Sequence, residues 1–198
     1  DELSAFLESI TKLNVTAAPG FTARVLVAPG ELYDPLVMHE NNGAIWLNDD
    51  GKIEGDKGSR MMSISRDGKI TVLVGSDQMK PISAGFDIAP LEFGAYGGQI
   101  FALSQPKTGS KNQVENYLIQ RIAPEDDYAV SVFCTLPELD AKRLSGTGVD
   151  AAFAPSGSPF AGAMYAVTSS NGTIYTVKPD GDCAPFATFA TERLGSPL

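Results

Sequence analysis

His39 is the only imidazole in the chain, and an inner-strand position makes it a candidate general base. An imidazole ordinarily titrates near 6.5, which suits proton transfer at neutral pH. The competing reading is a structural or solvated histidine beside the turn Asn41-Asn42-Gly43, because no orienting partner is visible nearby in the sequence. One histidine cannot build a multi-histidine zinc site. The stretch Asn48-Asp49-Asp50-Gly51-Lys52-Ile53-Glu54-Gly55-Asp56 has the carboxylate density of a calcium loop but lacks the D-x-[DN]-x-[DN]-G spacing and its closing glutamate. It reads as an exposed loop built from turn formers. No G-x-S-x-G, P-loop, H-E-x-x-H or C-x-x-C is present, which disfavours serine-hydrolase, NTPase and zincin chemistry.

The elements that must position such residues follow from composition and period. A chain of 198 residues allows one domain or two small ones, and 20 glycines with 13 prolines make it turn-rich. Acids outnumber bases 24 to 15, a net charge of −9 that repels phosphate backbones and anionic membranes and favours cations as small partners. Nucleic acid is therefore not an expected partner. No apolar run reaches membrane-span length and no signal-peptide pattern opens the chain, so it reads as soluble and already processed. Leu3, Phe6, Leu7, Ile10 and Leu13 fall at helical spacing behind Asp1 and Glu2, which predicts a short amphipathic helix in a lead-in over residues 1–20.

After residue 20 the helical period gives way to short Val, Ile, Phe, Tyr and Thr runs between Gly, Pro, Asp and Asn turns, an all-β pattern. It is also a repeat. A hairpin with an acidic turn runs from Met61 through Asp67-Gly68 to Leu73, and recurs from Tyr117 through Glu125-Asp126 to Leu136 and from Thr173 through Asp180-Gly181 to Phe189. Ile64, Ile122 and Val177 mark the same place in each copy, 58 and 55 residues apart. A second hairpin precedes each: Pro35 to Leu47, Gly85 to Leu103, and Gly148 to Val167. Four strands per period predict β-propeller blades over about 21–75, 76–137 and 138–190, with a two-sheet β fold as the alternative.

Phe21–Ala28 looks like an outer strand that would complete a last blade, and Glu192–Leu198 looks like the start of another. Propellers have typically 4–8 blades, so three make only part of a ring, about half of one. The remaining blades are expected from another chain or a second copy. The repeat puts Cys134 in the slot of Ala187 rather than beside Cys183, which argues against a bridge, although pairing in an oxidising compartment stays open. Phe101 and Tyr165 are assigned to the core, while Tyr96 and Phe160 fall in loops.

Gly85-Phe86-Asp87-Ile88-Ala89-Pro90 followed by Gly97-Gly98-Gln99-Ile100-Phe101-Ala102-Leu103, and Gly148-Val149-Asp150 through Pro155 followed by Ala161 to Val167, resemble blades of six-bladed propellers. The groups are the SMP-30/gluconolactonase-like and NHL-like proteins and, more loosely, the soluble glucose/sorbosone dehydrogenases. The stretch from Ala18 to Pro35 is similar to the opening of the dehydrogenase-type propellers. The SMP-30 resemblance implies a divalent cation, usually calcium, held at the tunnel mouth by acidic and amide side chains of inner strands. It points to Asp87 and Asp150, 63 residues apart in one motif slot, with Glu40 or Asn41 from the first blade. Calcium-assisted hydrolysis of a lactone or ester, a small-molecule substrate and secreted or periplasmic residence are what it implies. The alternatives are a non-catalytic propeller offering its loops to a protein or carbohydrate, and a quinone-dependent sugar dehydrogenase, which the single histidine and acidic balance disfavour.

Overall fold

The computed structural model describes residues 17–28, 30–50, 59–80, 82, 85–104, 116–137, 149–168 and 172–189. The helix expected over 1–13, residues 51–58 of the acidic stretch and the segment 192–198 read as the start of a further blade lie outside them. Among the described residues are twelve strands in three four-stranded antiparallel sheets, each a meander in chain order. The first blade is β1 (Pro35–Asn41), β2 (Ala44–Asp49), β3 (Arg60–Ile64) and β4 (Ile70–Val74). The second is β5 (Phe86–Ile88), β6 (Ile100–Ser104), β7 (Leu118–Ala123) and β8 (Ala129–Thr135). The third is β9 (Val149–Phe153), β10 (Met164–Thr168), β11 (Thr173–Val177) and β12 (Cys183–Thr188). The chain is an all-β partial propeller.

The register confirms the repeat rung by rung. Ile45 pairs with Ile64, Ile100 with Ile122 and Met164 with Val177. Each outer hairpin also carries a register shift at the same point, between Met61 and Met62, Ile119 and Gln120, and Ile174 and Tyr175. Such bulges bend a strand and increase its twist.

Period-two alternation sends neighbouring side chains to opposite faces, and both faces are apolar. Ile100, Ala102, Ile122 and Phe86 of the second blade pack on Met61, Val74 and Trp46 of the first. Phe101, Leu103 and Ile119, on the second blade's other side, pack on Met164, Ala166, Tyr175 and Val177 of the third. Each fully buried large side chain contributes about 1.5–3 kcal/mol. Phe93 anchors the second seam, its ring 4.8 Å from Phe153 and 5.2 Å from Phe101.

Polar ties fix the connection between the first two blades. Ser59 Oγ accepts the N–H of Ile82 at 2.7 Å, and Asn48 Nδ2 donates to the Ile82 carbonyl at 3.3 Å. From the other side Gln120 takes both backbone groups of Lys80, accepting its N–H at 2.7 Å and donating to its carbonyl at 3.1 Å. These buried amides satisfy a linker that would otherwise strand its peptide groups.

Three expectations are corrected. Phe21–Ala28 is not a strand: each of the three described blades already has its own four strands, and the segment runs as coil, with Leu26 and Val27 against Leu47, Met62 and Ile64 on the open side of the first blade. A Cβ on Gly68, whose φ is +86°, would sit 2.3 Å from the Leu26 carbonyl oxygen, so the turn and the close approach both require glycine there. The acidic stretch is not all exposed loop either. Asn48 and Asp49 end β2 and are fully buried; Asp49 holds Arg60 at 2.6 Å and accepts the N–H groups of Tyr33 at 3.1 Å and Asp34 at 2.6 Å. The lead-in thus needs a carboxylate where the sequence pattern suggested a solvated turn.

Cys134 and Cys183 are disulfide-bonded, with Cα atoms 6.8 Å apart. The repeat alignment misled because it compares positions within blades, whereas this bridge crosses from β8 of one blade to β12 of the next. Tying residues 49 apart in sequence, the bridge contributes roughly 2–4 kcal/mol. Reduction should lower the guanidinium midpoint accordingly, and the unreduced protein should give no free thiol with a thiol reagent. Asp49→Ala leaves the Arg60 guanidinium without its buried partner and should cost about 3–5 kcal/mol in urea unfolding.

Candidate functional site on the inner strands

The first strands of the blades, β1, β5 and β9, carry the residues singled out from the sequence. His39, in β1, packs its ring edge-on to Phe86 of β5 at 4.8 Å between centroids. Its Nδ1 lies 3.7 Å from Oδ1 of Asp87, with the two side chains 33% and 21% exposed. The distance is a contact rather than a made hydrogen bond, and such pairs often tighten only when substrate is bound. The carboxylate that faces this ring, which the local sequence did not show, therefore comes from the next blade.

Asp87 is itself fixed. Its Oδ1 accepts the N–H of Ile88 at 2.7 Å, and its Oδ2 reaches into the third blade to accept the N–H of Phe153 at 2.8 Å. One carboxylate thus joins three blades at their inner strands. Asp150, exposed in β9, accepts the N–H of Ala151 at 2.8 Å. A Cβ on Gly85 would fall 1.9 Å from Asp150 Oδ1 and 2.6 Å from the Ala151 nitrogen, so glycine is what lets β5 and β9 come this close.

The rungs place the two aspartates differently from the sequence motif. Asp87 pairs with Phe101, one rung from the Ile100–Ile122 marker, and the equivalent residues are His39 opposite Trp46 and Ala152 opposite Tyr165. Asp150 pairs with Val167, two residues earlier along its strand than Ala152. The cause is spacing: two residues separate Asp87 from Pro90, whereas four separate Asp150 from Pro155. Because strand faces repeat every two residues, Asp150 keeps the same face but sits two residues nearer the start of its strand.

Glu40 turns away to the hairpin, where Oε1 accepts the N–H of Gly43 at 2.7 Å, and Asn41 ends β1 half-buried. His39 and Asp87 are therefore brought together, while Glu40 caps a turn. Among the described residues no group of three or more His, Cys, Asp or Glu side chains converges in a way that could hold a metal ion. Calcium takes 6–8 oxygens, so these blades alone do not fit it; the balance would have to come from blades that complete a ring.

The fold is shared with known proteins. An oxidoreductase assigned as a glucose dehydrogenase from Thermus thermophilus superposes with a TM-score of 0.51 at 15% identity, over 77% of this chain and 46% of that one. A protein assigned as a gluconolactonase superposes with a TM-score of 0.51 at 16% identity, over 86% of this chain and 54% of that one. At these identities the likeness is one of fold, and this chain spans about half the length of each. No protein-family model and no curated protein matches the sequence.

The seam makes a prediction. Asp87→Ala leaves the Phe153 N–H without its acceptor and should cost about 1–3 kcal/mol, read as a lowered urea midpoint at unchanged slope.

Proposed function

We propose that the chain is part of a propeller enzyme that hydrolyses a sugar-type lactone or a related ester, as in the SMP-30/gluconolactonase-like group. The observation that carries this reading is the juxtaposition of His39 and Asp87 on adjacent inner strands. Asp87 faces Nδ1, which orients the ring and leaves Nε2 to act as base. In the proposed step Nε2 takes a proton from water as the water oxygen bonds to the acyl carbon. The acyl–oxygen bond then breaks, and the leaving oxygen receives that proton, giving a hydroxy acid from a lactone.

The name of one structural neighbour, a gluconolactonase assignment, supports the substrate class, and the partly exposed site supports access. A dehydrogenase reading needs basic groups around a bound cofactor. The charged groups on the described inner strands are acidic apart from His39: Glu40, Asp87 and Asp150. Calcium belongs to the proposal as the ion a completed ring would hold, with Asp87 and Asp150 among its ligands; it would polarise the acyl carbonyl. The disulfide supports residence in an oxidising compartment, secreted or periplasmic.

With an aldonic δ-lactone and p-nitrophenyl acetate as probes, His39→Gln should lower kcat by about 10²–10⁴ with unchanged circular dichroism. Full activity in that variant removes the proposal. In the protein with its ring complete, titration with calcium chloride by calorimetry should give heat that Asp150→Ala abolishes, and calcium binding that is indifferent to Asp87 and Asp150 removes the metal assignment.

A further inference from the structure

The turn between β1 and β2 is Asn42-Gly43, with φ of +51° at Asn42 and +81° at Gly43, and Asn41 pairs with Ala44 across it. Both residues are left-handed, which makes this the tight hairpin turn that an Asn-Gly pair favours. Asn42 is exposed at the tip. The same pair is chemically labile, because the backbone nitrogen that follows an asparagine can attack that side chain's own carbonyl carbon, and glycine has no side chain to obstruct the approach.

Two neighbours bear on that nitrogen. Glu40 Oε1 accepts the Gly43 N–H at 2.7 Å, so a carboxylate already stands at the proton that the attack must remove. The Arg66 guanidinium, from the turn between β3 and β4, packs over Gly43: a Cβ there would lie 3.2 Å from its Nε and 3.3 Å from its Nη2. A cation at that place stabilises the negative charge that develops as the nitrogen loses its proton and the carbonyl oxygen gains electrons. Glycine thus leaves room both for the attack and for the guanidinium.

We propose that Asn42 is a modification site, at which the hairpin converts its own asparagine to aspartate and isoaspartate. The Gly43 nitrogen bonds to Asn42 Cγ, the Cγ–Nδ2 bond breaks, and the proton taken up by Glu40 leaves with the amide nitrogen as ammonia. Water then opens the resulting cyclic imide at either carbonyl: attack at Cγ gives aspartate, and attack at the main-chain carbonyl gives isoaspartate. No oxidant or metal enters, and every group used belongs to the first blade. The isoaspartate form carries an extra main-chain carbon in the tight turn. That turn sets the rungs Asn41–Ala44, Glu40–Ile45 and His39–Trp46, so the conversion shifts His39 against Asp87. On the proposed hydrolase reading this limits the working life of the site; the modification itself stands apart from that reading.

The test incubates the folded protein at neutral pH and physiological temperature and follows the peptide that holds Asn42 by mass spectrometry, with an isoaspartyl methyltransferase to count isoaspartate. The protein unfolded in guanidinium gives the reference rate, since there neither neighbour is in place. Conversion in the fold should match or exceed that reference. Glu40→Gln keeps an acceptor for the Gly43 N–H but removes the base, and should slow conversion about 10²-fold in the folded protein with no change in the unfolded one. Arg66→Gln, in a different turn, should slow it in the same sense. Asn42 intact in the fold while it converts in guanidinium, or a folded-state rate indifferent to both substitutions, overturns the proposal. Because the readout is mass, a failure of the hydrolase reading leaves it standing.

Discussion

A four-stranded sheet with apolar side chains on both faces cannot bury them by itself, and this constraint governs the whole molecule. The second blade satisfies it fully, with Ile100 and Ile122 against one neighbour and Phe101 and Ile119 against the other. Everything that sets the relative placement of the blades serves those two seams. The Gln120 and Ser59 clamps hold the connecting backbone, Phe93 packs between Phe101 and Phe153 across the second seam, and the disulfide closes the rim between β8 and β12.

The inner strands depend on the seams in turn. His39 and Asp87 belong to different blades, so their approach is fixed by how Phe86 seats under the first blade and not by any local turn. The bond from the Phe153 N–H to Asp87 then ties the third blade to the same carboxylate. A carboxylate that accepts a peptide N–H from its own strand and another from a third blade has little freedom to move. Rigidity at this point is a product of packing between sheets.

What could be read from the sequence was what repeats along it. The marker residues Ile64, Ile122 and Val177 gave the strand order and the hairpin pairing because each blade solves the same packing problem with the same alternation. What crosses between blades was not legible. The Cys134–Cys183 bridge, the partner of His39 and the burial of Asp49 all join residues whose neighbours in sequence say nothing about them. Asp150 shows a subtler limit: its motif matched that of Asp87, yet two extra residues before Pro155 moved it along the strand. Tyr165 was assigned to the core by its strand pattern, and it sits instead half-buried on an end face, because a repeat position is buried only where the next blade is present.

Among the described residues no further strand pairs with the outer strands β4, β8 and β12, and they carry exposed Val72, Val132 and Phe186. Long flat edges of that composition recruit further strands and seed fibrils. The register shift repeated in every outer hairpin warps these rims, and Pro185 deprives the last of them of one donor. The irregularity that interrupts each ladder therefore doubles as a safeguard against aggregation: it denies foreign chains a straight template on which to grow.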